Sequence, residues 1–345
     1  MRGAVQTGIE QIEVREVGEP TGDASTALVR VRASGICGSD LHPYHGRSAP
    51  RQYPEGHEVS GEILSLPSSY DGPLRPGDLV ALDTICLGLA CGKCAHCLAG
   101  RPYHCGPRLK TPYGSGGFAE LIRRRTVGLF PLPTNMTLEQ GALVEPLAIG
   151  VHAVRYGGMP VGSTVAVVGA GTIGLMTLLA SRALGASAVH VVARHPHQAE
   201  LAKKLGATSV TMADASGASA HVLEQTDGIG ADAVFETVGG HTDSVNLCWN
   251  LARHQGLVVI LGIFPEPVPV NLLKPSDWEL KVVFPECYST VDGRNDYDVA
   301  IEMIADGHAP VEKLVTHRFA LENAREAFRV AADKSTGSVK VHFVM

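Results

Sequence analysis

The chain has 345 residues, 45 % of them hydrophobic and 19 % charged, with a formal charge of −6. That length suits two domains, and that apolar content supports a large core rather than disorder. The acidic balance argues against nucleic acid or an acidic membrane as partner, since both need clustered Lys and Arg.

The first fourteen residues hold no apolar run of signal-peptide length. The most apolar stretch, 164–184, is broken by Gly169, Gly171 and Gly174. No span of a membrane is expected, and residence in the cytoplasm is. Up to residue 148 the chain reads as an irregular β-rich domain. Its strand-type runs are 27–32 and 59–64, and 74–81 is a turn feeding a strand. The densest basic run, Arg123 to Arg125, reads as a solvated strand end.

From residue 149 the texture changes. A buried-strand run at 165–168 leads through a glycine turn into a helix reaching 185. Strands at 188–193, 209–212, 231–236 and 257–261 follow, with helices at 197–205 and 241–253. Alternating strands and helices predict an α/β, doubly wound parallel sheet of Rossmann type over 149–285. Helices at 298–305 and 321–332 and a strand at 338–343 come last. Residues 286–345 are expected to complete the first domain.

Four of the eight cysteines are spaced Cys91-x2-Cys94-x2-Cys97-x7-Cys105. Four thiolates about 2.3 Å from one ion form a closed tetrahedral site, which suits structural zinc. Such clustering favours metal thiolates over disulfides. An iron–sulfur cluster or four unligated thiols are the alternatives, and Cys86 fits the spacing less well.

A second constellation comprises Gly35-Ile-Cys-Gly-Ser-Asp-Leu-His42 and Gly56-His-Glu58. A catalytic zinc takes about three protein ligands and keeps one position open. Cys37 and His57 supply sulfur and imidazole, and Glu58 or Glu145 supplies a carboxylate. The turn Gly169-Ala-Gly-Thr-Ile-Gly174 follows a strand and opens a helix, as in dinucleotide sites. Gly169 permits the turn, Gly171 a close approach of the pyrophosphate, and Gly174 helix–strand packing. Thr172 and Ile173 begin the helix. NAD-preferring folds end the second strand with an acid. That position is Ala193 here, followed by Arg194 and His195, so NADP is favoured over NAD.

Taken in order with Val144-Glu-Pro-Leu147, these motifs resemble the zinc-containing medium-chain dehydrogenases, near the sorbitol, threonine and butanediol dehydrogenase branch. The resemblance covers nearly the whole chain. It implies a GroES-like catalytic domain and two zinc ions per chain, one catalytic and one structural. It also implies hydride transfer between an alcohol and a nicotinamide cofactor. Cys37 and His57 would be zinc ligands, with Glu58 or Glu145 as a third. Ser39 would receive the substrate proton, and His42 would pass it to solvent. Asp40 would accept a hydrogen bond from the His57 ring, fixing its tautomer. His152 reads as structural. The substrate cleft is expected near Ser39, Tyr44, Phe118 and Glu145.

A polyol, sugar or cyclic polyol is the first substrate class. A simple secondary alcohol or a 3-hydroxy amino acid of threonine type is the alternative. Rival readings are a zinc-free quinone or enone reductase and a non-catalytic NADPH-binding protein. The partner is a small-molecule alcohol or ketone, and a homodimer or homotetramer is expected.

Overall fold

A computed structural model describes residues 1–22, 24–49, 53–108, 116–212 and 214–345. It divides into two units. The first comprises Met1–Glu145, Asp292–Asp306 and Val311–Met345, and the second Pro146–Val291 and Gly307–Pro310. The first division therefore falls inside the helix Val144–Gly157, three residues before the boundary expected at 148. The second falls six residues after 285, and Gly307–Pro310 belongs with the second unit.

In the first unit a hairpin of Arg2–Gly8 and Gln11–Glu16 precedes a seven-stranded sheet. The sheet runs Val315–Phe319, Lys340–Val344, Thr26–Ile36, Glu58–Ser65, Leu79–Asp83, Leu129–Pro131, and Leu121–Arg125 also pairs with Thr26–Ile36. Side chains alternate between the faces of a strand. Val29 and Val31 accordingly share a core cluster with Ile63, Val80, Leu82 and Ile122. Two registers position the chemistry. Gly35 pairs with Glu58, so the ends of two long strands meet where Cys37 leaves one and His57 enters the other. Val341 pairs with Ile36, which sets Lys340 at the same level.

The run Arg123 to Arg125 is not simply a solvated strand end. It lies within Leu121–Arg125, where alternation turns Arg124 inward. The Arg124 Nε–H donates to the Thr84 carbonyl at 3.0 Å, which pays part of the cost of burying the cation.

The second unit holds a six-stranded sheet, all of whose pairs are parallel. Its order is Ser209–Thr211, Ala188–Val192, Thr164–Val168, Ala231–Glu236, Ala252–Ile260, Lys281–Val283. By sequence the strands run third, second, first, fourth, fifth, sixth, the dinucleotide-fold order. The central strands are nearly continuous apolar runs because both faces are covered. Ala166, Val168, Val234, Val258 and Ile260 pack in one cluster with Cys248 and Trp249. The sixth strand, Lys281–Val283, and the short helix Leu273–Asp277 were not among the expected elements, and two other helices differ as well. Ala215–Glu224 is a further helix, whose N-cap Asp214 accepts the Gly217 N–H at 2.9 Å. The helix expected over 241–253 is shorter, Ser244–Leu251, because Ala252 already has extended backbone and begins the next strand. Among the described residues no helix is long and apolar enough to cross a membrane.

Candidate active site and metal centres

Cys37 precedes the 3-10 turn Gly38–Asp40, and its backbone N–H donates to Asp40 Oδ2 at 2.8 Å. The other Asp40 oxygen faces His57 Nδ1 at 3.7 Å, an ion-pair separation longer than a hydrogen bond. Gly56 has φ of +94°, and a Cβ there would lie 2.7 Å from the Phe118 ring. Only glycine allows this entry to His57 without strain. Thr84 Oγ1 donates to the His57 carbonyl at 3.0 Å. The ligand atoms of Cys37, His57 and Glu58 all lie within 4.8 Å of one another.

Glu58 is fully enclosed, and a side chain at Gly35 would place a Cβ 1.9 Å from its Oε2. Lys340, also enclosed, donates from Nζ to both Glu58 oxygens at 2.5 and 2.7 Å and to the Ile36 carbonyl at 3.1 Å. Glu145 is buried at the start of the helix Val144–Gly157 and lies outside the three-residue cluster. Burial pushes its carboxyl up to about 8, with His57 opposing the rise and Glu58 adding to it. Burial disfavours charge on His57, but Asp40 and Cys37 outweigh it and hold the imidazole well above its ordinary range. Thiol, imidazole and carboxyl donors thus converge in a pocket of acids, and such a mixed sulfur, nitrogen and oxygen set fits zinc.

Ser39 is exposed on the 3-10 turn. His42 is half-buried on the short helix Leu41–Tyr44 that follows. Partial burial, then Arg47 and His45, lower His42 below its ordinary range. Two expected cleft residues belong to the core instead. Tyr44 is buried against the Phe328 ring at 5.5 Å, and Phe118 packs edge-on to Phe328 and Phe343 at 5.5 and 5.4 Å. A shared aromatic cluster consumes their faces.

The four lobe cysteines also have all their sulfur atoms within 4.8 Å of one another. Cys94 precedes the turn Ala95–Leu98, and Gly92, at φ +73°, lets the chain reverse between the first two sulfurs. The Cys91 N–H points at Cys105 Sγ, 3.3 Å away. Backbone N–H groups, led by Lys93, lower the Cys91 thiol to about 6, whereas burial pushes Cys105 up to about 12. Four convergent thiols without a disulfide fit a closed zinc site. Cys86 is buried outside this group.

In the second unit Gly169 has φ of +104°. A Cβ on Gly174 would lie 1.9 Å from the Gly169 carbonyl, whereas one on Gly171 would meet open space. The turn therefore packs tightly at its ends and stays open at its middle, above the N-terminus of Thr172–Ala183, where Thr172 and Ile173 lie. Ala193 is buried beyond Ala188–Val192. Arg194 is exposed and in no ion pair among the described residues. His195 precedes the helix Pro196–Lys204 and stacks on His197 at 5.7 Å. His152 is buried and stacks on Tyr156 at 5.1 Å.

Lys340 carries only a weak signal in the sequence, a lysine flanked by Val339 and Val341 in the strand run 338–343. Neither it nor Glu236, a wholly buried acid at a strand end, is among the site residues expected from the sequence.

The chain matches the zinc-binding dehydrogenase family over residues 172–306 and the alcohol dehydrogenase GroES-like domain over 23–134. It is 32 % identical to sorbitol dehydrogenase of Bacillus subtilis (strain 168), covering 99 % of this chain and 96 % of that one. It is 34 % identical to sorbitol dehydrogenase of Homo sapiens, covering 90 % and 86 %. A crystal structure of a candidate zinc-binding dehydrogenase from Sinorhizobium meliloti 1021, bound to NADP, superposes with a TM-score of 0.85 at 30 % identity over 100 % and 99 % of the two chains. The chain belongs to the zinc-containing medium-chain dehydrogenase family. It is an enzyme of the alcohol dehydrogenase class, with a GroES-like domain and a Rossmann domain.

Proposed function

We propose that this enzyme oxidises a secondary alcohol carbon of a polyol, sugar or cyclic polyol, and reduces the corresponding ketone, with NADP preferred over NAD. The convergence of Cys37, His57 and Glu58 at one point carries the reading. The sorbitol dehydrogenases among its relatives support the substrate class.

When bound, zinc supplies a Lewis acid at this cluster, and the dinucleotide supplies the hydride carrier. The chain's own residues do the rest. Cys37, His57 and Glu58 hold the catalytic metal, with Glu145 beside them. Asp40 orients the loop through the Cys37 N–H and supplies a counter-charge to His57. Ser39, exposed on the same turn, takes the hydroxyl proton, and His42 hands it to solvent. Partial burial lowers the proton affinity of His42, which favours the neutral, accepting form of the ring. Cys91, Cys94, Cys97 and Cys105 hold a structural zinc. Gly169, Gly171, Thr172, Ile173 and Gly174 receive the pyrophosphate, and Arg194 with His195 receives the 2′-phosphate.

A second copy of the chain is the expected partner, in a homodimer or homotetramer. The edge strand Lys281–Val283 has Phe284 exposed beside it, and Leu272 and Leu273 are exposed in the same unit. Eight cysteines, none of them in a disulfide, suit a reducing, cytoplasmic compartment.

The test is a panel of polyols, sugars and secondary alcohols with NADP⁺, followed by the absorbance of NADPH. Turnover should be lost on chelation and return with zinc. Activity that survives complete zinc removal would exclude this reading.

A further inference from the structure

Glu236 ends the strand Ala231–Glu236 and has no exposed surface. Its Oε1 accepts the N–H groups of Val238 and Gly239, both at 2.9 Å, and its Oε2 accepts the Gly262 N–H at 3.1 Å. Among the described residues no cation pairs with it. One side chain thus ties together the turns that follow two neighbouring strands, Ala231–Glu236 and Ala252–Ile260. The fit is close on every side. A Cβ on Gly262 would lie 2.2 Å from Glu236 Oε2, and the Gly240 N–H donates directly to the Ile263 carbonyl at 2.8 Å. The next residue extends the tie to a third strand end. Thr237 Oγ1 donates to the Val168 carbonyl at 2.8 Å and reaches the Gly169 carbonyl at 3.3 Å.

These three strand ends form the carboxyl edge of the parallel sheet, where open α/β folds bind their ligands. Enclosing an acid there is expensive, and an apolar side chain would fill the space at lower cost. A carboxylate offers acceptors only, which matches three converging donors. We infer that Glu236 is a positioning residue of the dinucleotide site. It holds the 237–240 and 261–263 turns in place around the glycine turn without touching the cofactor. The inference rests on the dinucleotide reading above.

The test compares NADPH binding, by fluorescence titration, in the zinc-loaded wild type, Glu236→Gln, Thr237→Val and Val222→Ala. Val222 is a core residue of Ala215–Glu224, a helix that carries none of these turn residues. Gln turns an NH2 group toward the N–H donors, so Glu236→Gln should raise the NADPH Kd by about tenfold or more. Thr237→Val should raise it by a smaller factor. Val222→Ala should lower the melting temperature with an unchanged Kd. A Glu236→Gln Kd within about twofold of wild type would overturn the inference, as would an equal loss in Val222→Ala. If Glu236→Gln does not fold, Thr237→Val decides, and an unchanged Kd there overturns it. Failure of the wild type to bind either NADPH or NADH would instead refute the functional reading.

Discussion

The Lys340 ammonium sits 2.5 and 2.7 Å from the two carboxylate oxygens of Glu58, and neither side chain reaches solvent. Glu58 is therefore shared. It lies within ligand reach of Cys37 and His57 on one side and is claimed by a cation on the other. A buried pair that loses one partner leaves an uncompensated charge, at a cost of about 3–5 kcal/mol. Lys340→Met should destabilise the metal-free protein by that amount, and zinc should restore part of it by taking over as the cation facing Glu58. Denaturant unfolding with and without zinc checks both halves. Equal losses in the two conditions would mean that Glu58 does not engage the metal.

Metal analysis separates the two zinc sites. The purified protein should carry about two zinc ions per chain. Cys37→Ser should lose one and abolish turnover while NADPH binding persists, since the nucleotide residues lie in the other unit. Cys94→Ser should lose the other and lower the unfolding midpoint. A wild-type content near one ion would show that one of the clusters has been misread.

Cofactor choice should follow Ala193 and Arg194. No acid stands at the end of Ala188–Val192 to repel a 2′-phosphate, and the exposed Arg194 guanidinium has no competing ion pair among the described residues. Charge-assisted hydrogen bonds contribute roughly 1.5–3 kcal/mol each, less on an exposed loop, so kcat/KM should favour NADP by about tenfold to a hundredfold. Arg194→Ala should raise KM for NADP far more than KM for NAD, and Ala193→Asp should swing preference toward NAD. Equal effects of Arg194→Ala on both cofactors would sink the assignment.

Acid stability should report on His342. The ring is fully buried, neither nitrogen has a hydrogen-bond partner among the described residues, and burial, with Lys340 and Arg318 adding to it, lowers its pKa to about 3. Unfolded, the same imidazole titrates near 6.5. The unfolded chain therefore takes up the proton first. This contribution is fully present above about pH 6.5 and is lost as pH falls toward 3, by up to about 1.4 kcal/mol per pH unit. Between pH 7 and pH 5 it amounts to about 2 kcal/mol. His342→Leu should flatten the stability profile over that window in urea unfolding. An unchanged slope would place the acid sensitivity elsewhere.

Local chemistry was legible wherever neighbours in sequence are neighbours in space. The sulfur lobe spans fifteen residues from Cys91 to Cys105, and the glycine turn spans six from Gly169 to Gly174, so spacing alone encodes each geometry. The alternation of strands and helices after residue 149 likewise reveals the parallel sheet, because a parallel pair needs a crossover between its strands. The helix Ala215–Glu224 leaves little trace in the sequence because its small residues, Ala, Ser and Gly, carry little helical periodicity.

What the sequence by itself determined is the donor inventory, namely which thiols, imidazole and carboxyl groups exist and which cluster locally, together with the missing acid at Ala193. Only the tertiary structure decided how distant residues share them. The Gly35 to Glu58 and Ile36 to Val341 registers bring Lys340 onto Glu58 across 282 positions of chain. Aromatic packing withdraws Tyr44 and Phe118 into the core, and Glu236 draws two turns onto a single carboxylate. Burial and strand register arise from long-range pairing, and a carboxylate's partners are set by what the fold leaves within about 3 Å of it.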